Sequence, residues 1–211
     1  MHNWIALFNE QIRETTWLQW LAVIFGVAEV LLARSNNIWL YPVGIAGIVI
    51  SIYLLIDVQL YAESALNLYY LVMSLYGWIY WIKKKNEPPV KIAWSNRKEW
   101  VISLLIVFLG WFILFVLLKK FTPSNVPVWD AWVSSTAWAG MWLLARRKIE
   151  NWMFLNVSNL FAVPLLFYKG LPLFAMLTLF LFFVAFWGFF EWKKILKKEK
   201  SGSMVHPIIS A

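Results

Sequence analysis

Residues 100–118 read WVISLLIVFLGWFILFVLL and contain no charged side chain. A helix of about 20 mostly apolar residues is long enough to cross a bilayer. The rest of the chain has the same character, since 62% of its 211 residues are hydrophobic and only 14% are charged. Soluble domains carry about 25% charged residues. The composition therefore predicts an all-α membrane protein and excludes a soluble domain.

Six further apolar segments on either side of this run are long enough to be spans, which makes it the fourth of seven. They cover roughly 17–33, 38–57, 60–82, 128–145, 150–168 and 171–192. Hydrophilic linkers at 83–99 and 122–127 flank the fourth span, and a basic tail over 199–211 is expected to be mobile. We expect residues 1–211 to form a single transmembrane domain.

The distribution of basic residues predicts the orientation of these spans. Seven spans place the two termini on opposite sides, and with the N-terminus outside, 15 of the 19 Lys and Arg residues lie on the inner side. Because cytoplasmic segments are enriched in Lys and Arg, we predict an outer N-terminus and an inner C-terminus. The net charge of +8 follows from this asymmetry and does not indicate nucleic-acid binding. The inner residues are Arg34, Lys83, Lys84, Lys85, Lys91, Arg97, Lys98, Arg146, Arg147, Lys148, Lys193, Lys194, Lys197, Lys198 and Lys200.

The first and last thirds of the chain resemble each other. Residues 31–34 (Leu-Leu-Ala-Arg) recur at 143–146, an offset of 112. Trp39 corresponds to Trp152 at an offset of 113, and the Gly-x-x-x-Trp pattern of 77–81 recurs at 188–192 at an offset of 111. This constancy predicts two copies of one structural unit.

The repeat predicts a three-helix unit over about 16–85, a linking helix over about 99–119 and a second unit over about 127–198. Because the linking helix crosses the membrane once, both units have the same orientation, as a parallel 3+1+3 repeat. Such repeats are typical of transporters, with the substrate site near the bilayer midplane between the repeats.

Trp152, Asn156 and Asn159 in the sixth span are spaced i, i+4 and i+7, and therefore share one stripe of a helix. A polar group without a partner in hydrocarbon is costly, so this stripe should face protein or a cavity. It is a candidate substrate-binding site. The alternative is that the amides join helices, a contact that averages about 0.6 kcal/mol in membranes.

A second stripe in the third span consists of Glu63, Asn67, Tyr70 and Ser74. If spans three and six face each other, the two stripes enclose a pocket lined by amides and aromatic rings. Packing of the third span on its neighbours is the alternative interpretation.

The remaining ionisable groups give little support to catalysis or to ion coupling. Glu29 is expected to pair with Arg34, and Glu150 with the basic residues 146–148. We find no pair of carboxylates at mid-depth, which argues against coupling to protons or sodium. The chain has no cysteine, and His2 and His206 lie at the termini, so we expect no metal site, no cofactor and no enzyme activity.

Taken together, these motifs resemble the Pnu-type vitamin transporters, whose best-known members carry nicotinamide riboside. The resemblance covers about residues 17–198 and rests on Trp152-x₃-Asn156-x₂-Asn159, on residues 63–67, on the endings 77–81 and 188–192, and on Arg146, Arg147 and Glu150. It implies an arrangement similar to the SWEET sugar transporters, a homotrimer in the bacterial cytoplasmic (inner) membrane, and substrate contacts from Trp152, Asn156 and Asn159. It also implies facilitated diffusion, with a cytoplasmic kinase trapping the substrate.

The pocket chemistry suits nicotinamide riboside, a flat cation with a carboxamide and a ribose. Tryptophan faces attract cations, and asparagine offers donors and acceptors for hydroxyl and amide groups. A phosphate would need Lys or Arg, which the middle of the spans lacks, so we predict that the mononucleotide is not carried. Thiamine or another vitamin or nucleoside is an alternative substrate, and a seven-span signalling or channel protein is the alternative outside transport.

Overall fold

A computed structural model of the chain describes residues 4–57, 61–83 and 91–203, and within these ranges the chain forms eight α-helices. Seven of them coincide with the predicted spans. The first was not predicted, and the last extends beyond the predicted span. The helices are α1 Trp4–Glu14, α2 Trp17–Arg34, α3 Leu40–Asp57, α4 Tyr61–Lys83, α5 Arg97–Phe121, α6 Pro127–Ala145, α7 Asn151–Tyr168 and α8 Pro172–Ser203.

Four helices in the described part of the chain are long and apolar enough to cross a membrane: α2, α3, α5 and the Pro172–Glu199 portion of α8. The other long helices, α4, α6 and α7, carry more polar side chains, including both predicted stripes. Helices α2 and α5 begin at capping boxes, in which Thr16 pairs with Gln19 and Asn96 with Glu99.

Six helices form a closed ring in the order α2, α3, α4, α6, α7 and α8, with α8 returning to pack on α2. Helix α5 lies outside the ring against α6, and α1 packs against α8. The ring therefore consists of two consecutive triples, α2–α4 and α6–α8, that meet at the α4–α6 and α8–α2 contacts. This arrangement leaves an interior that all six helices can line.

Helix α1 is held at the α7–α8 turn by Gln11. The Gln11 Nε2 donates to the Gly170 carbonyl at 2.7 Å, and the Leu173 N–H donates to Gln11 Oε1 at 3.1 Å. The rings of Trp4 and Phe167 meet edge to face at 5.6 Å. These contacts explain how a short amphipathic helix remains docked at one end of the ring.

The other end of the ring is closed by four buried aromatic side chains, Tyr41, Trp81, Trp152 and Trp192, which we call the aromatic plug. They form two edge-to-face pairs, Tyr41 with Trp81 at 5.1 Å and Trp152 with Trp192 at 5.7 Å between ring centroids. Edge-to-face geometry is favourable for aromatic rings.

Two indole hydrogen bonds in the aromatic plug connect the triples reciprocally. The Trp81 Nε1 at the end of α4 donates to the Ala145 carbonyl at the end of α6, at 3.0 Å. The Trp192 Nε1 of α8 donates to the Ala33 carbonyl near the end of α2, at 2.9 Å. Each triple therefore supplies one donor and one acceptor to the other.

The two triples share further features at an offset of 111 residues. A residue with positive φ lies two positions beyond the end of both α2 and α6, Asn36 at 53° and Arg147 at 55°. In each case the next N–H donates to the carbonyl five residues back, from Asn37 and from Lys148, which is the Schellman geometry. These features are what a duplicated unit would produce.

The structural counterpart of Trp152 is Tyr41 rather than Trp39. Tyr41 is buried in the plug and a Cβ on Gly77 would lie 2.5 Å from its ring, while a Cβ on Gly188 would lie 2.6 Å from the ring of Trp152. Trp39 is 65% exposed. The sequence match that paired Trp39 with Trp152 was therefore two residues out of register.

The expected pairing of Glu150 with basic residues is wrong. Glu150 is buried and accepts hydrogen bonds from the Ser95 N–H at 2.8 Å and the Ser95 hydroxyl at 2.9 Å. Instead, Glu99 pairs with Arg146 at 3.3 Å and with Lys148 at 3.1 Å. The difference arises because the segment before α5 bonds to the α6–α7 turn through Ala93, which brings Ser95 to Glu150.

Replacing Trp192 with Phe should destabilise the protein by about 1–3 kcal/mol, because the Ala33 carbonyl would lose its donor in a buried position. The measurement is the thermal unfolding temperature of purified protein in detergent. Trp39→Phe, at an exposed position, is the matched control and should leave that temperature unchanged. Equal unfolding temperatures for Trp192→Phe and the wild type would contradict the prediction.

Gly188→Ala should also destabilise the protein, by about 1–3 kcal/mol, because the new methyl group would overlap the Trp152 ring. Gly26→Ala is the control: no atom of the described chain lies within 4 Å of the added carbon, and alanine favours helix by up to about 1 kcal/mol. The thermal unfolding temperature should therefore fall for Gly188→Ala and should rise or stay unchanged for Gly26→Ala. Equal unfolding temperatures for Gly188→Ala and Gly26→Ala would argue against tight packing of Trp152 at the plug.

Candidate functional site

An open hollow of about 560 Å³ is lined by residues of α2, α3, α4 and α8. Its polar lining residues are Gln19, Glu29, Ser51 and Asn67. The remaining lining is apolar and consists of Ala22, Val23, Gly26, Val27, Val30, Leu54, Leu55, Phe174, Leu177 and Leu181. A concave, mostly apolar space with a few polar groups is typical of a small-molecule site. We call this space the ring hollow.

The ring hollow and the aromatic plug lie at different levels of the ring. The hollow is lined by the second half of α3 and the first half of α8, from Ser51 and Phe174 onward. The plug lies at the beginning of α3 and in the second half of α8, at Tyr41 and Trp192. The plug therefore closes the ring at one end, and the hollow lies on the side of the opposite end.

The predicted stripe on α4 runs from the hollow toward the plug. Asn67 lines the hollow. Tyr70 is half-buried, and Ser74 is fully buried with a hydroxyl that has no hydrogen-bond partner within the described chain. The backbone of Glu63 belongs to α4, but its side chain lies outside the described part of the structure.

The predicted stripe on α7 lies closer to the plug, and none of its three residues lines the hollow. Trp152 is 1% exposed and packs in the plug. Asn156 and Asn159 are half-buried on the following turns. Helix α6 lies between α4 and α7 in the ring, so α4 and α7 are not neighbouring helices.

Several polar atoms inside the ring have no hydrogen-bond partner among the described residues. They include Asn156 Oδ1, Trp152 Nε1, Ser74 Oγ and Glu29 Oε1. More than about 90% of buried polar groups in proteins are hydrogen-bonded, and an unpaired group is especially costly in a membrane. Of these four residues, Glu29 belongs to the described lining of the hollow and Trp152 packs in the plug.

Other polar side chains in the same region serve packing. The Ser158 hydroxyl donates to the Val133 carbonyl at 2.8 Å, and the Tyr69 hydroxyl donates to the Trp138 carbonyl at 3.1 Å. Both join α6 to a neighbouring helix. Their paired state distinguishes them from Asn156 and Ser74.

Glu29 is the site residue that the sequence analysis missed. It was expected to pair with Arg34, but no ion pair joins these two described residues. The Arg34 guanidinium instead lies 3.8 Å above the Trp187 ring. The helical spacing of Gln19, Gly26 and Glu29, which puts all three on one face of α2, was the signal that could have identified it.

A second space, of about 460 Å³, lies at the α6–α7 junction and is lined by Val126, Trp129, Phe161, Pro164, Leu165 and Tyr168. It has no amide or charged side chain in its described lining. Its chemistry suits acyl chains rather than a polar substrate, and the ring hollow is therefore the better candidate.

Comparison with known proteins agrees with this architecture. The family model described as nicotinamide mononucleotide transporter matches residues 16–194. The nicotinamide riboside transporters PnuC of Escherichia coli (strain K12) and Shigella flexneri are each 22% identical over 219 residues, covering 92% of this chain and 92% of theirs. The crystal structure of the vitamin B3 transporter PnuC is similar in fold, with a TM-score of 0.69 and 21% identity over 93% of this chain and 91% of that one. The chain belongs to the nicotinamide mononucleotide transporter family, and it is a membrane transporter rather than an enzyme.

Proposed function

We propose that this protein carries nicotinamide riboside across the bacterial cytoplasmic membrane by facilitated diffusion. A cytoplasmic kinase then phosphorylates the imported nucleoside and so traps it in the cell. The observation that carries the proposal is the ring hollow, which combines amide, hydroxyl and carboxylate groups with apolar walls. A ribose and a carboxamide need such donors and acceptors. The two curated relatives are named for the same substrate.

The lining chemistry supports the riboside over the mononucleotide, although the family description names the latter. A phosphate dianion is bound in proteins chiefly by Arg or Lys. The described lining of the hollow contains neither, and its carboxylate at Glu29 would repel a phosphate. A dephosphorylated, cationic nucleoside fits this lining better.

The proposed architecture is a parallel 3+1+3 repeat, α2–α4 and α6–α8 joined by α5, with an outer N-terminus and an inner C-terminus. The offset of 111 residues between the two plug halves and between the two helix ends supports the repeat. Arg34 follows the plug acceptor Ala33, and the Arg147 guanidinium lies 3.6 Å above the Trp81 ring. By the positive-inside rule, the plug then lies at the cytoplasmic end.

With this orientation, the hollow lies toward the outside and the plug separates it from the cytoplasm. Substrate enters the hollow from outside, contacts Asn67, Tyr70, Ser74 and Glu63 on α4, and reaches Asn156 and Asn159 as the plug opens. Trp152 then acts at the boundary between hollow and plug, where its unpaired Nε1 can donate to the substrate. Assembly as a homotrimer is part of the same proposal.

Thiamine is the second candidate, because it is also a flat cation and the lining does not distinguish the two rings by charge. A thermal-shift comparison of the two vitamins with the purified protein separates them. Stabilisation by thiamine alone would replace nicotinamide riboside as the substrate while leaving the transport mechanism unchanged.

Purified protein in liposomes should take up nicotinamide riboside until the inner and outer concentrations are equal, and should not take up the mononucleotide. Uptake of labelled substrate is measured with and without pH and sodium gradients, which should have no effect because we find no two carboxylates on one face at mid-depth in the described spans. Protein-free liposomes are the control. Accumulation above the outer concentration, or efficient uptake of the mononucleotide, would contradict the prediction.

Asn156→Ala should weaken binding of nicotinamide riboside about tenfold or more, since a lost hydrogen bond in a buried site costs about 1–3 kcal/mol. Isothermal titration calorimetry on the purified variant gives the affinity, and thermal unfolding shows that it remains folded. Asn125→Ala, in the exposed α5–α6 connection, is the amide control and should bind like the wild type. An unchanged affinity for Asn156→Ala would assign this amide to packing.

A further inference from the structure

A charged side chain of α2 contributes to the lining of the ring hollow. Among the described residues that line the hollow, Glu29 alone is charged. Its carboxyl group lies against Gly44 of α3, where a Cβ would overlap it. The absence of a side chain at Gly44 therefore provides the space that the carboxyl group occupies.

The carboxyl group is poorly compensated in this position. Its Oε1 atom is buried and has no hydrogen-bond partner in the described part of the chain. The two arginines that lie at the ends of α2 and α6 are engaged elsewhere, since Arg34 stacks on Trp187 at 3.8 Å and Arg147 on Trp81 at 3.6 Å. The nearby Tyr41 hydroxyl is also without a partner among the described residues.

A buried carboxylate is strongly unfavourable without a partner of opposite charge, and ionisable groups inside spans usually mark a substrate or ion pathway. The hollow beside Glu29 is large enough for a small molecule, at about 560 Å³, and its described lining supplies no cation. A cationic molecule that enters the hollow would supply this missing positive charge.

We propose that Glu29 is a substrate-binding residue that supplies the counter-charge for a cationic ring and so selects charged over neutral substrates. This inference rests on the proposed function. In nicotinamide riboside the pyridinium ring carries the positive charge, and in its 1,4-dihydro form a ring of nearly the same shape is neutral. Glu29 distinguishes the two by electrostatic attraction, while the amides recognise the groups that both share.

The test is calorimetric binding of both ring forms to the wild type and to Glu29→Gln, which removes the charge with little change in size. The wild type should bind the cationic form about 10- to 100-fold more tightly than the dihydro form. In Glu29→Gln this preference should disappear through weaker binding of the cation, with the affinity for the neutral form unchanged or higher. Thermal unfolding of each variant reports on its folding.

Glu29→Asp keeps the charge on a shorter side chain and is the matched variant, which should retain part of the preference. Equal loss of affinity for both ring forms would show that Glu29 supports the fold, and unchanged binding of the cation would remove it from the site. If Glu29→Gln does not fold, equal affinities of the wild type for the two forms overturn the proposal by themselves. If the wild type binds neither nicotinamide riboside nor thiamine, the proposed function itself is wrong. This outcome differs from equal binding of both ring forms, which overturns only the role of Glu29.

Discussion

Two indole-to-carbonyl hydrogen bonds, from Trp81 to Ala145 and from Trp192 to Ala33, hold the two triples of helices together at one end of the ring. In hydrocarbon, association of helices lacks the hydrophobic driving force that operates in water, so packing and hydrogen bonds must supply it. These two bonds join helices far apart in sequence, and they do so reciprocally. The closure of the ring, the position of the plug and the location of the hollow all depend on them.

The framework of the ring follows a twofold pattern, while its polar interior does not. Trp152 and Gly188 correspond to Tyr41 and Gly77 at an offset of 111 residues. At the same offset Asn156 corresponds to Ile45, and Glu29 corresponds to Gly140. A small unsymmetrical ligand requires different groups on its two sides, which is consistent with the proposal that a repeated framework keeps its packing residues while its binding residues differ between the halves.

The same contrast separates satisfied polar groups from unsatisfied ones. Two polar groups of the framework have partners, since Glu150 is bonded to Ser95 and Ser158 to the Val133 carbonyl. The Ser74 hydroxyl and the Asn156 side-chain oxygen, on the stripes of α4 and α7, have no partners within the described chain. Because a bilayer cannot supply those partners, these unpaired groups support the proposal that a polar molecule binds inside the ring. The apolar space at the α6–α7 junction shows no such imbalance and so remains a feature of packing.

Hydrophobic composition, helical spacing and short recurring motifs by themselves determine a large part of this fold. The seven long helices, the stripes on α4 and α7, and the similarity of the two thirds of the chain are all local properties, because each depends on residues within one helix or on a fixed offset. The order of the helices around the ring is not a local property. Which helix packs beside which depends on contacts between distant segments, and no spacing in the sequence records it.

Only the tertiary structure therefore placed α6 between α4 and α7, put Trp152 in the aromatic plug, and brought Ser95 rather than a basic residue to Glu150. Tertiary packing also decides that Arg34 stacks on Trp187 and that Glu29 lines the hollow. A long side chain has several possible partners within reach, and the choice among them is decided by the surrounding helices.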